Sequence, residues 1–465
     1  MRLIVFGIGQ YCKSRLSCFE GDEIIAFLDN KAKVGDFFSN VPVYKPEKVV
    51  DMQYDAICLM AGACYAKEMH NQLLSLGVDS CVIYWNDREY SKKKKKKEIK
   101  IVSQTGLLSN DVVFFLPNLA NTGGIRAAFY AMKVLKEKYS TLTVVTPQNG
   151  TVKEELLNNG YDLIISPDIS ENNTVLWKLI EKAEMIVLNG LYYGYLIPSI
   201  ESLTKASILW WLHTGESFYK TYPIPNDDLE TGRVFVAGVS DMVCKAYRSH
   251  NHNRNINLLP YGIPDEAREK NRLITNINNQ VIFAIVGTVS LVKGIDVFLD
   301  AVKILEQKKI FGAEFWVIGS EVSKTYSDEL HKKYGYLKSV IWVGEINHDE
   351  LMDLYNKIDV LVSASREDML PIVTIEAMMH GKACIVSDAV GTAAFINNEI
   401  EGLVFSSGNS EELARLMQKF IKRPELSIQM GKRGRELYEN VFSEEVFRDN
   451  LVKYLERKDE DVSPL

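Results

Sequence analysis

The sequence predicts an α/β fold built from doubly wound parallel sheets, and three observations carry that prediction. Short apolar runs of three to five residues recur from end to end of the 465 residues. They are continuous rather than alternating, which is how strands read when both faces of a parallel sheet are covered. The segments between them are long enough for crossover helices, and alternating strand–helix units imply this class.

In order, the predicted strands are Leu3–Phe6, Ile24–Leu28, Ala56–Leu59 and Val82–Tyr84. Next come Val112–Leu116, Leu142–Thr146, Leu163–Ser166, Met185–Leu188, Ile208–Leu212 and Val234–Ala237. A third set is Ile282–Val286, Phe315–Ile318, Ile341–Val343, Val360–Ser363 and Cys384–Ser387. Leu413, Leu416, Met417 and Phe420 follow helical spacing, with Asn409 and Glu412 placed to start that helix as a capping box.

Two polar seams divide the chain. Lys92–Lys97 is an unbroken run of six lysines, whose mutual repulsion reads as a solvated linker over 92–99. Residues 266–279 are polar and precede a new strand. The expected units are therefore 1–91, 100–268 and 275–465, the last ending in a polar tail. A length well above the ~100–200 residues of one domain agrees.

Hydrophobic residues make up 46% and charged residues 25%, the balance of a globular chain rather than a disordered one. A formal net charge of −7 excludes a global basic field for nucleic acid. The cysteines at 12, 18, 58, 64, 81, 244 and 384 are scattered without a CxxC pair. That favours reduced thiols in a cytoplasmic protein over a disulfide frame or a zinc site. The first apolar run stops at Gly7 without the core of a signal peptide, and no apolar window of about 18 residues suggests a spanning helix.

Open parallel sheets bind ligands at the carboxyl ends of their strands. After Val112–Leu116 the chain reads through Gly123-Gly124 to Arg126. Paired glycines let backbone approach a ligand, and a following helix offers N–H groups to an anion; a plain tight turn is the alternative. After Ile282–Val286, Lys293 stands between Gly287 and Gly294, placed to neutralise phosphate unless it is an ordinary surface lysine. After Val360–Ser363, Arg366-Glu367-Asp368-Met369-Leu370-Pro371 leads into a helix bearing Glu376. A carboxylate in the loop and another on the helix, beside free loop amides, suit a polyhydroxylated phosphate ester. The plain alternative is an acidic residue stabilising the helix dipole.

Taken together, these motifs resemble the retaining family 4 glycosyltransferases, which have the GT-B fold. The pattern runs Gly287…Lys293-Gly294, Val343-Gly344-Glu345 and Asp359-Val360-Leu361-Val362. It continues through Ser365…Asp368…Pro371…Glu376-Ala377-Met378…Gly381, Val386-Ser387, Val390-Gly391-Thr392 and Glu401-Gly402-Leu403-Val404-Phe405. In the middle unit, Gly123-Gly124, Trp210-Trp211-Leu212-His213, Val239-Ser240 and Leu259-Pro260-Tyr261-Gly262-Ile263 are similar to the same family.

The resemblance implies two Rossmann-like lobes with a deep cleft, preceded by a small third Rossmann-like domain. Lys293 would bind the diphosphate of a nucleoside diphosphate sugar, in the loop that starts at Gly287. Glu376 would accept ribose hydroxyls, and Asp368 a donor-sugar hydroxyl. The backbone of Met369, Leu370, Pro371, Ile372 and Val373 would hold sugar or phosphate. Gly344 would lie by the base, and Gly123 and Gly124 would face the phosphates across the cleft. His213 would lie by the reacting sugar and acceptor; on its residue alone, a core histidine satisfied by a backbone carbonyl is the alternative. The implied chemistry is transfer to an acceptor hydroxyl with retention, the leaving phosphate helping to deprotonate the acceptor.

The sequence departs from the pattern in places. Asp368 replaces the family glutamate, with Glu367 adjacent. Thr288 stands where an arginine is frequent, leaving Lys293 alone with Arg126 and Arg366 as candidates to compensate. No DxD motif falls in a plausible site, since Asp459-Glu460-Asp461 is in the polar tail, so no cofactor and a metal-independent reaction are expected.

Residues 1–91 carry Gly7-Ile8-Gly9-Gln10-Tyr11-Cys12 and then Asp29, a degenerate dinucleotide fingerprint with cysteine at the third glycine. Leu28-Asp29-Asn30, Val41-Pro42-Val43-Tyr44-Lys45-Pro46 and Tyr54-Asp55-Ala56 resemble the Rossmann-like domain in front of some sugar-modifying bacterial proteins. Nucleotide binding, assembly and a vestigial fold all remain open. Lys92, Lys93, Lys94, Lys95, Lys96 and Lys97 have a second reading, attraction to anionic lipid headgroups at the cytosolic membrane face.

The leading expectation is a transferase building a bacterial surface glycan such as a capsule or O-antigen-like polymer, on a glycan or lipid-linked acceptor. The competing readings are a catalytically weak nucleotide-sugar-binding subunit and a GT-B nucleotide-sugar epimerase. An oxidoreductase would need a substrate domain that the sequence does not show.

Overall fold

A computed structural model of the chain describes residues 2–13, 15–19, 22–61, 63–87, 89–90, 99–103, 111–170, 173–219, 221, 232–251, 256–267 and 280–456. Lys92–Lys97 and Asp459–Asp461 lie outside the described residues. The chain divides into two units, residues 1–98 and 99–465.

In the first unit, β1 (Arg2–Phe6), β2 (Glu23–Leu28), β3 (Phe37–Phe38), β4 (Val41–Tyr44), β5 (Ala56–Leu59) and β6 (Ile83–Tyr84) form one sheet in the order β3-β4-β2-β1-β5-β6. Every pairing is parallel except the β3–β4 hairpin. Successive side chains on a strand point to opposite faces. Accordingly Leu3 and Val5 join Phe27 and Cys58 in one core layer, while Ile4 and Phe6 join Leu28 and Leu59 in the other. Both faces are buried, which is why the run reads as continuously apolar.

The second unit contains two sheets. The first comprises β7 (Lys100–Val102), β8 (Val112–Phe115), β9 (Leu142–Thr146), β10 (Asp162–Ile165), β11 (Met185–Asn189), β12 (Ser207–Leu212), β13 (Val234–Gly238) and β14 (Asn257–Leu258). Its order is β14-β13-β12-β11-β8-β9-β10-β7, and only the edge strand β7 runs antiparallel. The second comprises β15 (Val281–Val286), β16 (Ala313–Ile318), β17 (Val340–Gly344), β18 (Val360–Ser363), β19 (Ala383–Ser387) and β20 (Leu403–Phe405). It is parallel throughout, in the order β17-β16-β15-β18-β19-β20.

Each sequence-predicted strand is present. The structure adds β3, β4, β7, β14 and β20, which have two to four residues each and are too short to show a period. The helix Ser410–Lys422 begins as expected at Asn409, whose side chain accepts from Glu412 N at 3.0 Å. The reciprocal half of the box is absent, because the Glu412 carboxylate instead accepts from Ser406 N at 2.9 Å. A complete capping box occurs at Asn347 and Glu350.

The two lobes of this unit share one apolar core, in which Trp211 and Leu212 continue into Ile375, Met378, Tyr438 and Phe447. The chain itself makes the join. Helix Glu444–Glu456 follows the second sheet in sequence but packs back on the first. Phe447 stacks on Trp211 at 5.7 Å between centroids, and Tyr454 Oη donates to Val236 O at 2.7 Å. At the crossing, Ile263 N donates to Phe442 O and Glu444 N donates to Ile263 O. Arg435, itself buried, pairs there with buried Asp265.

Phe447 is fully buried, and deleting such a ring costs about 3–5 kcal/mol. Phe447→Ala should lower the denaturant midpoint followed by tryptophan fluorescence by a corresponding amount. A change below ~1 kcal/mol would show that the return helix does not hold the lobes together.

Candidate functional site

The site is assembled from loops at the carboxyl ends of the strands, where parallel sheets leave backbone groups uncommitted. Lys293 follows β15, and Asp368 follows β18, its neighbour in the sheet. Lys293 Nζ donates to Asp368 Oδ2 at 2.5 Å, with both side chains partly open to solvent. The two side chains thus meet at the carboxyl ends of adjacent strands.

Backbone contacts fix both loops. Arg366 N donates to Val292 O, Asp368 N to Ala389 O, and Gly391 N to Asp368 O. The Tyr261 hydroxyl donates to Leu370 O. Gly294 caps helix Ile295–Gln307 in the left-handed region at φ +69°, with its α-carbon against Ala364 O where a Cβ would collide. Only glycine lets the lysine loop lie this close to the end of β18.

The expected compensating arginines are engaged elsewhere. Arg126 donates to Glu155 at 2.5 Å and to Asn121 at 2.7 Å, both in its own lobe. Arg366 makes a two-pronged pair with Asp296 at 2.8 and 2.7 Å and donates to Leu291 O at 2.6 Å. It thus braces the loop that carries Lys293. Burial alone would raise the Asp296 pKa, but the Arg366 bonds outweigh it and hold the carboxyl below its usual value.

The helix after Pro371 spans Ile372–Met379, and its first amides have no partner within the helix. Its Ile372 side chain faces Gly123 of the other lobe, with 4.0 Å between Ile372 Cδ1 and a Cβ built at Gly123. Gly123 and Gly124 open helix Gly123–Lys136, and Asn189 Nδ2 donates to Gly124 O at 3.1 Å. Gly287 follows β15 and is half-buried, and Gly344 ends β17 with open space around it.

Glu376, to which the resemblance gives the ribose hydroxyls, lies in a buried setting. It is only 5% exposed, with Tyr355 Oη 3.0 Å from its carboxylate. Burial pushes its pKa up to about 7, against the opposing pull of His348 and Tyr355. His348 is in turn raised by its hydrogen bond to Glu266, 3.0 Å away.

His213 follows β12, its ring 4.7 Å from that of Trp211. Burial lowers its pKa to about 3, so it is neutral near pH 7. Its Nε2 is buried without a hydrogen-bond partner, unlike a satisfied core histidine. Thr214 Oγ1, Ser240 Oγ and Thr392 Oγ1 are likewise buried and unpartnered. Ser240 meets the other lobe, 2.8 Å from where a Cβ on Gly391 would lie.

Sequence reasoning gave no role to three residues that hold these loops: Asn189, Tyr261 and Glu367. Asn189 ends β11 just before a glycine, a signal that was present. Tyr261 lay inside a quoted motif without a role. Glu367, beside Asp368, turns the other way, and Ser217 Oγ donates to its carboxylate at 3.2 Å across the lobes. Gly215 accommodates this contact, since a Cβ there would sit 2.6 Å from Glu367 Oε1 and 2.7 Å from Met369 Cε.

In the N-terminal unit the Gly7…Gly9…Cys12 pattern follows β1. The helix after Gly7 and Gly9 spans only Gln10–Lys13, and Cys12 fills the core where a third glycine would bring backbone close. Asp29 closes its own turn by accepting from Lys31 N at 2.8 Å. Among the described residues no cluster of three or more His, Cys, Asp or Glu could hold a metal, and no helix is long and apolar enough to cross a membrane.

The second unit has the GT-B architecture, two Rossmann-like lobes facing across a cleft. Residues 267–437 match the family model described as Glycosyl transferases group 1, and residues 1–84 match the one described as C2185-like, N-terminal. A structure of HepE from Anabaena in complex with UDP and glucose superposes with a TM-score of 0.62 at 14% identity, covering 75% of this chain and all of that one. A glycosyltransferase from Rickettsia africae gives 0.63 at 20% identity, covering 76% of this chain and all of that one. An uncharacterised glycosyltransferase of Methanocaldococcus jannaschii is 32% identical over 130 residues, which is 28% of this chain and 33% of that protein. The capsular polysaccharide biosynthesis glycosyltransferase CapM of Staphylococcus aureus is 26% identical over 176 residues, 38% of this chain and 46% of CapM. The matches thus span a third to about half of these relatives' length.

Glu376 yields a test by pH. Its folded pKa of about 7 lies above the ordinary 4.5, so its contribution to stability is full below 4.5 and is lost as pH rises through about 7. In thermal melts, Glu376→Gln should therefore gain on the wild type between pH 5 and pH 8. A constant difference across that range would contradict the assignment.

Proposed function

We propose that the chain is a retaining glycosyltransferase that moves a sugar from a nucleoside diphosphate sugar to an acceptor hydroxyl in the assembly of a cell-surface polysaccharide. The observation that carries this reading is the Lys293–Asp368 pair in the cleft of a GT-B fold, opposite the Gly123-Gly124 loop. The match to Glycosyl transferases group 1 and the likeness to a capsular polysaccharide enzyme support it.

In this reading the donor diphosphate takes the Lys293 ammonium from Asp368, and the freed carboxylate accepts a sugar hydroxyl. Charge grows on the diphosphate as the anomeric C–O bond breaks. Lys293 and the amides at the start of helix Ile372–Met379 oppose that charge from fixed positions, which is the favourable arrangement for transition-state stabilisation. The acceptor oxygen then bonds to the anomeric carbon on the face the diphosphate leaves, and its proton passes to a departing phosphate oxygen. His213, neutral and unpartnered at Nε2, hydrogen-bonds the reacting sugar or acceptor without a second positive charge. No metal is assigned a part. The lysine run 92–97 is a candidate contact with an anionic membrane surface, which would keep the enzyme peripheral at the cytosolic face.

A thermal-shift screen of UDP-, GDP- and dTDP-sugars should find one stabilising donor, and that donor should release nucleoside diphosphate only with acceptor present. Lys293→Met should then lower kcat by roughly 10²–10³-fold, the usual loss for one charge-stabilising donor. Undiminished turnover would remove Lys293 from the site, and tight donor binding without turnover would favour a binding subunit.

A further inference from the structure

Beside the candidate site lies a cavity of about 400 Å³ whose lining shares Met369 alone with the donor assignments. Neither Lys293, Gly287 nor Gly344 lines it. One wall is a single face of helix Asp241–His250, where Met242, Lys245, Ala246 and Ser249 recur at helical spacing. The opposite wall is Glu367 and Met369 of the other lobe, and Gly215 and Glu216 complete the lining. Gly215 is two residues beyond His213, and Met369 is one beyond Asp368. A ligand here would thus be bordered by the loops that carry both reactive candidates.

The geometry points to this cavity as the acceptor subsite, shaped for an uncharged sugar ring; the inference rests on the transferase reading. Its volume falls within the ~300–1,000 Å³ of small-molecule sites. Met242, Met369 and Ala246 offer apolar surface to the C–H face of a pyranose. Glu216, Glu367 and Ser249 offer oxygens to its hydroxyls. Glu216 is 63% exposed on its side chain, and its oxygens already take His250 Nε2 at 2.5 Å and Ser249 Oγ at 3.1 Å, so its orientation is set. Glu367 is held by Ser217 in the same way.

Charge selects the class of ligand. Among the described residues Lys245 is the one cation in the lining, and Asp241 pairs with it at 2.5 Å. Two carboxylates then leave the cavity negative, which disfavours an acceptor presenting a phosphate or carboxylate at this point. An anionic lipid carrier, if the acceptor has one, must extend out of the cavity.

The test uses the full chain and saturation-transfer NMR with the methyl α-glycosides of glucose, galactose, mannose and N-acetylglucosamine, and methyl α-glucuronide as the anionic probe. At least one neutral glycoside should bind, and more tightly than the glucuronide. Met242→Trp, which fills the cavity from a half-buried position, should weaken that binding at least tenfold, and Glu216→Gln several-fold. Binding of UDP, GDP or dTDP, measured in parallel, should be unchanged in both variants. No binding by any neutral glycoside, equal binding of the glucuronide, or indifference to both substitutions would overturn the inference. If the wild type binds a nucleotide but no glycoside, only the acceptor subsite fails; if it binds no nucleotide either, the transferase reading fails with it.

Discussion

The site depends on one ion pair between two loops 75 residues apart in sequence, Lys293 with Asp368. A half-buried ammonium needs a partner, because the cleft wall cannot solvate it as water does. Asp368 supplies that partner without closing the site, since both side chains keep some solvent contact. The pairing holds the lysine where an incoming anion must compete for it.

That pair is meaningful only because its loops cannot drift. β15 and β18 are adjacent in the sheet, so their carboxyl ends lie side by side. Gly294 allows the approach, Arg366 ties the lysine loop to Asp296 and Leu291, and Tyr261 reaches across from the other lobe to Leu370. Arg366 and Arg126 illustrate how local geometry reassigns charge. Each stands near the site in sequence, yet each has a carboxylate within 2.8 Å on its own lobe. An arginine so paired also fixes the position of the loop that carries it.

Much of this was legible in the sequence, and the reasons are physical. Strands such as Val112–Phe115 and Val360–Ser363 are buried on both faces, so their apolar runs are unbroken and easily read. Gly287, Lys293 and Asp368 could be located in loops after strands, because the runs mark the strand ends. Burial and partner choice were not legible. Nothing in the spacing of Asp368 and Glu376 tells that one faces Lys293 while the other lies under Tyr355. Edge strands such as β7 were missed because three residues cannot show a period. The return of helix Glu444–Glu456 to the first lobe was missed because its partners Trp211 and Val236 are more than 200 residues away. In the N-terminal unit the pattern Gly7…Gly9…Cys12 was visible, but not that the following helix stops after one turn.

The seam between the lobes carries an imbalance that the rest of the fold can bear. His213 Nε2, Thr214 Oγ1, Ser240 Oγ and Thr392 Oγ1 are buried there without partners. Each such atom costs roughly 1–3 kcal/mol relative to a satisfied one. A fold selected for stability alone would replace Ser240 or Thr392 with an apolar residue of similar size, because both sit at 0% exposure. The continuous core from Trp211 through Phe447 to Met378 supplies the stabilisation that tolerates them. In the transferase reading the partners of these seam atoms would arrive with a ligand, and the neutral state of His213 fits the same logic. A charged imidazole could not be left dry, whereas a neutral one can wait, ready either to give or to accept a hydrogen bond.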